Sequence, residues 1–137
     1  MTRRGAAMPL TVGSVMHSGV VTCSPAATLR TVARIMAAHG IHAVVVVSVE
    51  EVPVPPCAVV TDRDVIFAHA TGRLDRLTAR EAATDPTITV RRSLDLRSAS
   101  ELMMRHGVAH IVVTDTGDHR AIGIVSSLDI AGAVGDI

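Results

Sequence analysis

Lysine, tryptophan and tyrosine are absent from the 137 residues, and Phe67 is the one aromatic side chain. Proteins that hold single-stranded nucleic acid lean on aromatic rings as stacking platforms, so this chain is poorly equipped for that role. There is no excess of charge either: 13 basic residues, all arginine, balance 13 acidic ones. No long-range field therefore draws the chain to nucleic acid or to an anionic membrane. No apolar run approaches the ~18 residues that a membrane span needs. The first nine residues carry Arg3 and Arg4 but lack the ~7–15-residue apolar core of a signal peptide, so a cytoplasmic location is expected. Cysteine is scarce. Cys23 and Cys57 form no metal or redox spacing and are expected to be buried reduced thiols. The seven histidines offer no Cys/His spacing that would gather zinc ligands, so no metal site is expected.

What the chain does contain is a duplicated pattern. Residues 28–40 (TLRTVARIMAAHG) return as residues 95–107 (DLRSASELMMRHG), a shift of 67, with Leu29, Arg30, Met36, His39 and Gly40 recurring as Leu96, Arg97, Met103, His106 and Gly107. Each copy is followed by an apolar run and then by a hydroxyl-x-x-Asp element, Thr61-Asp62-Arg63-Asp64 in the first and Ser126-Ser127-Leu128-Asp129 in the second. The period is longer than that of a solenoid and occurs only twice, which points to two small units that complete each other. Roughly 65 residues per unit is marginal for an independent core. The expected division is an N-terminal arm over 1–9, a first repeat over 10–72 and a second over 73–137.

Each repeat reads as β-α-β-β-α behind a short helical turn, and the whole as an α/β protein. The helical turns fall at 11–16 and 78–83. Leu29, Val32, Ala33 and Met36 make one apolar stripe for a helix over 29–39, opened by Thr28 as N-cap and closed by Gly40. Asp95 and Gly107 play the same parts around 96–106. Residues 43–47 are uniformly apolar, the pattern of a strand covered on both faces, and His110 to Val113 reads as the matching strand. Strands are also expected over 20–22, 58–60, 87–90 and 121–125, and helices over 62–70 and 127–134. The Pro-rich stretch 48–56 resists helix and sheet alike, and Thr116-Gly117-Asp118 reads as a turn.

The duplicated order, with an apolar-Thr/Ser-x-x-Asp element between last strand and last helix, resembles the cystathionine-β-synthase (CBS) domain pair. Residues 123–129 (GIVSSLD) match that element throughout; residues 58–64 (AVVTDRD) match except that Ala58 takes the glycine position. The likeness covers residues 10–135. It implies two β-α-β-β-α repeats packed through their sheets with pseudo-two-fold symmetry. The chain departs from the family in carrying Val45 and Val112 where proline is frequent, and in its Pro-rich loop.

The hydroxyl-x-x-Asp element has a chemistry of its own. Its hydroxyl sits where a helix N-terminus leaves backbone N–H groups unsatisfied, a position that favours an anion such as phosphate. The acid three residues on faces the same way and can accept hydrogen bonds from ribose hydroxyls. The same spacing also caps a helix with no ligand at all, as in a capping box. The resemblance implies the ligand roles for Thr61 with Asp64 and for Ser126 with Asp129. It also implies an adenine slot at Val21, Thr22, Ala43 and Val44 in one copy and at Ile88, Thr89, His110 and Ile111 in the other. The second copy keeps Gly123, which permits close approach; the first has Ala58, but also Arg63 within reach of a phosphate.

The function expected on this basis is a regulatory, ligand-sensing pair that binds AMP, ADP, ATP or an adenosyl compound and transmits a conformational change to a protein partner. It requires no cofactor and works as the homodimer common in the family, without nucleic acid or membrane. The alternative is an interaction or dimerisation module whose ligand sites have degenerated. An enzyme is not expected, because no Gly-x-Ser-x-Gly, Walker loop or paired Cys–His arrangement is present.

Overall fold

The computed structural model describes residues 10–47, 58–83, 87–115 and 120–136. The N-terminal arm, the Pro-rich loop with Cys57, the 116–118 turn and Asp85-Pro86 lie outside the described residues. In chain order the elements are α1 (Val12–Val15), β1 (His17–Ser18), β2 (Thr22–Cys23), α2 (Leu29–His39), β3 (Ala43–Val46), β4 (Ala58–Thr61), α3 (Asp62–Ala70), α4 (Ala79–Ala82), β5 (Thr89–Arg91), α5 (Leu96–His106), β6 (His110–Thr114), β7 (Ala121–Ser126) and α6 (Ser127–Gly135). The expected helices and strands are present, with β1 as an addition. That two-residue strand carries no apolar alternation, so nothing in the sequence marked it.

The two long helices form where their signals stand. The Thr28 hydroxyl accepts the Thr31 N–H at 3.3 Å, and the Asp95 carboxylate accepts the Ser98 N–H at 3.0 Å. At the far ends Gly40 and Gly107 both take φ of 63°, a left-handed turn that glycine adopts without a Cβ penalty. The chain then re-enters as β3 or β6, an inner strand of its sheet. In β3, all four residues are buried.

There are two sheets, ordered β2-β3-β4 and β1-β7-β6-β5. Strand β3 pairs parallel with β2 and antiparallel with β4; β6 does the same with β5 and β7. Side chains alternate across a strand. Val44 and Val46 accordingly join Leu29, Val32, Met36 and Val60 in one core. Ile111 and Val113 join Leu96, Ala99, Met103 and Val125 in the other. Val45 and Val112 belong to neither core yet are fully buried. By strand alternation they point to the opposite face of each sheet from the residues of those cores.

The sequence repeats and the packed units do not coincide. Val12 of α1 is fully buried in the second core, beside residues of α5 and α6. Leu77, Ala79 and Ala82, around α4, are buried in the first. Backbone hydrogen bonds fix the exchange symmetrically: Leu96 N–H donates to Leu10 O and Leu29 N–H to Leu77 O, both at 3.0 Å. Each repeat lends its opening helix to the other.

Candidate functional site

Both hydroxyl-x-x-Asp elements sit at a strand-to-helix junction, and both acids fold back on their own helix start. Asp64 Oδ2 accepts the Thr61 N–H at 2.8 Å and the Thr61 hydroxyl at 3.3 Å. Asp129 Oδ2 accepts the Ser126 N–H at 2.8 Å, and the Ser126 hydroxyl accepts the Asp129 N–H at 3.1 Å. These are capping interactions that satisfy otherwise orphaned donors. They do not exhaust an acid, because an ionised carboxylate offers about four lone-pair positions.

A cavity of about 670 Å³ opens at the N-terminal end of α3, walled by both halves of the chain. The first repeat contributes Thr61, Arg63 and Asp64; the second contributes Arg73, Glu81, Ile88 and the Gly107–His110 segment. Glu81 stays well below the usual carboxylate range because it accepts the Thr78 N–H and then the Thr78 hydroxyl. A polar contact stands beside the cavity, with His42 Nδ1 lying 3.2 Å from Asp62 Oδ2. Burial pushes the His110 imidazole below its ordinary value; Asp62 and Asp129 pull it back up, and His42 adds to the lowering. His110 is thus held neutral beside a carboxylate-bearing wall.

The expected site residues fall into four groups. Thr61, Arg63, Asp64, Ile88 and His110 are brought together at this cavity, across the boundary between repeats. Val44 and Ile111 are fully buried in the two helix-side cores, where they pack. Val21, Thr22, Ala43 and Thr89 lie outside the cavity lining; Ala43 stands directly across from Thr61 in the β3–β4 ladder, and Thr22 and Thr89 sit on outer strands. Ser126 and Asp129 lie at the other junction, where β7 runs into α6. Arg73 and Glu81 were not marked by the sequence: Glu81 reaches the cavity on the exchanged helix α4, and Arg73 follows directly on α3, its N–H donating to Ala68 O at 2.8 Å.

That other junction is differently furnished. His17 Nε2 lies 2.8 Å from Asp129 Oδ1, with the imidazole 82% exposed and the acid only 12%. Strand β1 brings it there by pairing antiparallel with β7, Ser18 opposite Gly123. A Cβ at position 123 would lie 2.5 Å from the His17 carbonyl oxygen and 2.7 Å from the Met16 sulfur. The close approach that Gly123 allows is therefore taken by the chain's own N-terminal segment.

The CBS domain profile matches this chain twice, over residues 12–70 and 79–136. The chain belongs to the CBS domain family. Among its relatives is an uncharacterised protein of Methanopyrus kandleri, MK0525, 33% identical over 123 residues. That match takes in 88% of this chain but 61% of the relative, so the chain spans about three-fifths of that protein's length. The CBS pair of protein MJ0100, in complex with 5′-methylthioadenosine and S-adenosyl-L-methionine, superposes with a TM-score of 0.82 at 21% identity, over 94% of this chain and 98% of that one. The CBS protein PAE2072 of Pyrobaculum aerophilum, complexed with AMP, gives 0.77 at 27% identity over 93% and 100%. The two repeats and the α/β arrangement of this chain match the fold of these two solved structures. Among the described residues no group of three or more His, Cys, Asp or Glu side chains is placed to hold a metal ion, and no helix is long and apolar enough to cross a membrane.

Proposed function

We propose that this CBS pair is a regulatory module that binds an adenine nucleotide or adenosyl compound in the cleft between its repeats and passes the resulting change in shape to a protein partner. One observation carries the reading. The helix start bearing Thr61 and Asp64 opens into a cavity whose opposite wall, Ile88 and Gly107–His110, belongs to the other repeat. A ligand there touches both halves, so its binding energy differs between arrangements of the halves, which is what a population shift requires.

The chemistry assigns parts of the ligand to parts of the wall. Asp64 takes the ribose hydroxyls, and the α3 N-terminus with Thr61 and Arg63 takes phosphate, by dipole, hydroxyl and guanidinium together. Ile88 and Val108 offer the apolar surface against which a base lies. The AMP complex of PAE2072 supports this class of ligand. The exposed Ile66 and Phe67 on α3 and Leu128 and Val134 on α6 support a homodimer joined through these helices. The same exposed faces favour a second reading, an interaction module whose acids serve only as caps.

Thermal-shift titration with AMP, ADP, ATP, S-adenosyl-L-methionine and 5′-methylthioadenosine separates the two. Ligand at a hundredfold excess over its Kd stabilises the native state by about 2.7 kcal/mol. Saturable stabilisation by at least one compound, lost in Asp64→Asn, is expected. No stabilisation by any of the five at millimolar concentration would leave the interaction module as the better account.

A further inference from the structure

The cavity contains an imidazole that is engaged by no other described side chain, and its chemistry narrows the class of ligand. We infer that His110 is the specificity-determining residue for phosphate: it takes up a proton from solvent when a phosphate-bearing nucleotide enters, so the site gains affinity for the nucleotide, and not for an uncharged nucleoside, as pH falls. This inference rests on the nucleotide-binding reading and names the charge class that the same site selects.

The position of the ring is the first observation. His110 opens β6, half-buried, directly opposite Ser126 in the β6–β7 ladder. It lines the cavity together with Thr61 and Asp62, where α3 begins. Three titratable groups act on it: Asp62 at the first position of α3, His42 ahead of β3, and Asp129 on α6, itself 2.8 Å from His17 Nε2. Among the described residues the ring makes no hydrogen bond or ion pair of its own. Polar groups removed from water are normally bonded, so a ring nitrogen is left for whatever fills the cavity.

The charge of the lining is the second. Arg63 and Arg73 stand among three acids, Asp62, Asp64 and Glu81, so with His110 neutral the described lining carries one more negative charge than positive. Hydrogen bonds from Thr61 to Asp64 and from Thr78 to Glu81 satisfy those acids without removing their charge. Asp62 opposes a second anion at the very helix start that offers its dipole to phosphate. A phosphate of nearly two negative charges therefore needs a further cation, and a protonated His110 supplies it.

The sign follows from linkage. Burial, the largest influence on the ring, holds His110 below its ordinary value in the empty cavity, and an adjacent phosphate raises it. Between the two values binding takes up a proton, and affinity rises as pH falls through the bound-state value. A nucleoside without phosphate adds no such charge.

Isothermal titration calorimetry of the full chain at pH 7, with AMP and with 5′-methylthioadenosine as probes, tests this when run in both MOPS and Tris. These buffers differ in ionisation enthalpy, so the difference in heat counts the protons exchanged. The phosphate of AMP, titrating near about pH 6, releases protons on binding as the dianion, the opposite sign from His110. Proton uptake is expected with AMP and none with 5′-methylthioadenosine. AMP affinity should rise about threefold from pH 8 to pH 7, tenfold per pH unit being roughly the limit for one proton, while that of 5′-methylthioadenosine stays level. His110→Gln is expected to abolish the uptake and His42→Gln to keep it. AMP bound without uptake, equal uptake with both compounds, binding of 5′-methylthioadenosine alone, or uptake that persists in His110→Gln would each overturn the inference while leaving adenosine-ligand binding intact. If His110→Gln does not fold, the comparison of the two compounds on wild type decides by itself. Binding of neither compound would overturn the nucleotide-binding reading as well.

Discussion

Thr28 and Thr78 face each other as an antiparallel β-bridge, the residue that opens α2 beside the residue that opens α4. Thr11 and Asp95 form the matching bridge between the starts of α1 and α5. These two contacts stitch each repeat's opening helix onto the other repeat, and the first holds α4, which carries Glu81 to the cavity. Stability and ligand binding consequently draw on the same exchange.

The first core should fail without residues supplied from beyond position 73. A fragment of residues 10–72 lacks Leu77, Ala79 and Ala82, all buried in that core, and is expected to show no cooperative urea transition by circular dichroism. In the full chain, Leu77→Ala is expected to lower stability by roughly 2–5 kcal/mol, the usual range for a leucine cavity. A fragment that melts cooperatively would show that the first repeat is self-sufficient.

Gly123→Ala places a methyl group against the His17 carbonyl oxygen, 2.5 Å from where its Cβ would stand. Backbone there has little room to give, so a destabilisation of about 1–3 kcal/mol is expected. The strain should be relieved by lifting β1 from β7. Faster hydrogen exchange at the Gly19 amide, with α2 amides unchanged, is the signature to look for.

His110 makes stability depend on pH in a defined direction. Its folded pKa is depressed chiefly by burial, so between the unfolded value of about 6.5 and the lower folded value the unfolded chain binds more protons. The full contribution is present above about pH 6.5 and is lost as pH falls through the folded pKa. Melting temperatures of wild type and His110→Gln, measured from pH 5 to 8, should converge toward the acid end. Parallel curves would remove His110 from this role.

The Cys23 thiol is buried, and desolvation pushes its pKa up to about 11. Little thiolate exists at neutral pH, and thiolate is the reactive form. Iodoacetamide at pH 7.5 should therefore leave Cys23 largely unmodified in the native protein and alkylate it quickly in urea, as read by peptide mapping. Rapid native alkylation at Cys23 would contradict the burial.

Much of this architecture could be read from local chemistry. The stripe Leu29, Val32, Met36 with a threonine before it and a glycine after it specifies a helix and both its ends. The uninterrupted valines of β3 specify a strand covered on both sides. The helix starts at Thr61–Asp64 and Ser126–Asp129 were legible because two copies of a short element at matched positions are improbable by chance. The exchange of α1 and α4 was not legible. Both opening turns are short, and nothing local says which of two similar cores each one enters. The His17–Asp129 contact was hidden for the same reason: it joins residues far apart in sequence through a strand of only two residues. Ile88 and His110 were picked out as one repeat's slot, but their place opposite Thr61 is set by how the sheets meet.

The reciprocal loan of the opening helices also says something about ancestry. A polypeptide half this length, carrying one repeat, would have left a gap in its hydrophobic interior that only a second copy of itself could fill. The present chain is in effect such a domain-swapped pair joined end to end. Once the join existed, the halves no longer had to match, and an arginine on one side and a leucine on the other became free to diverge.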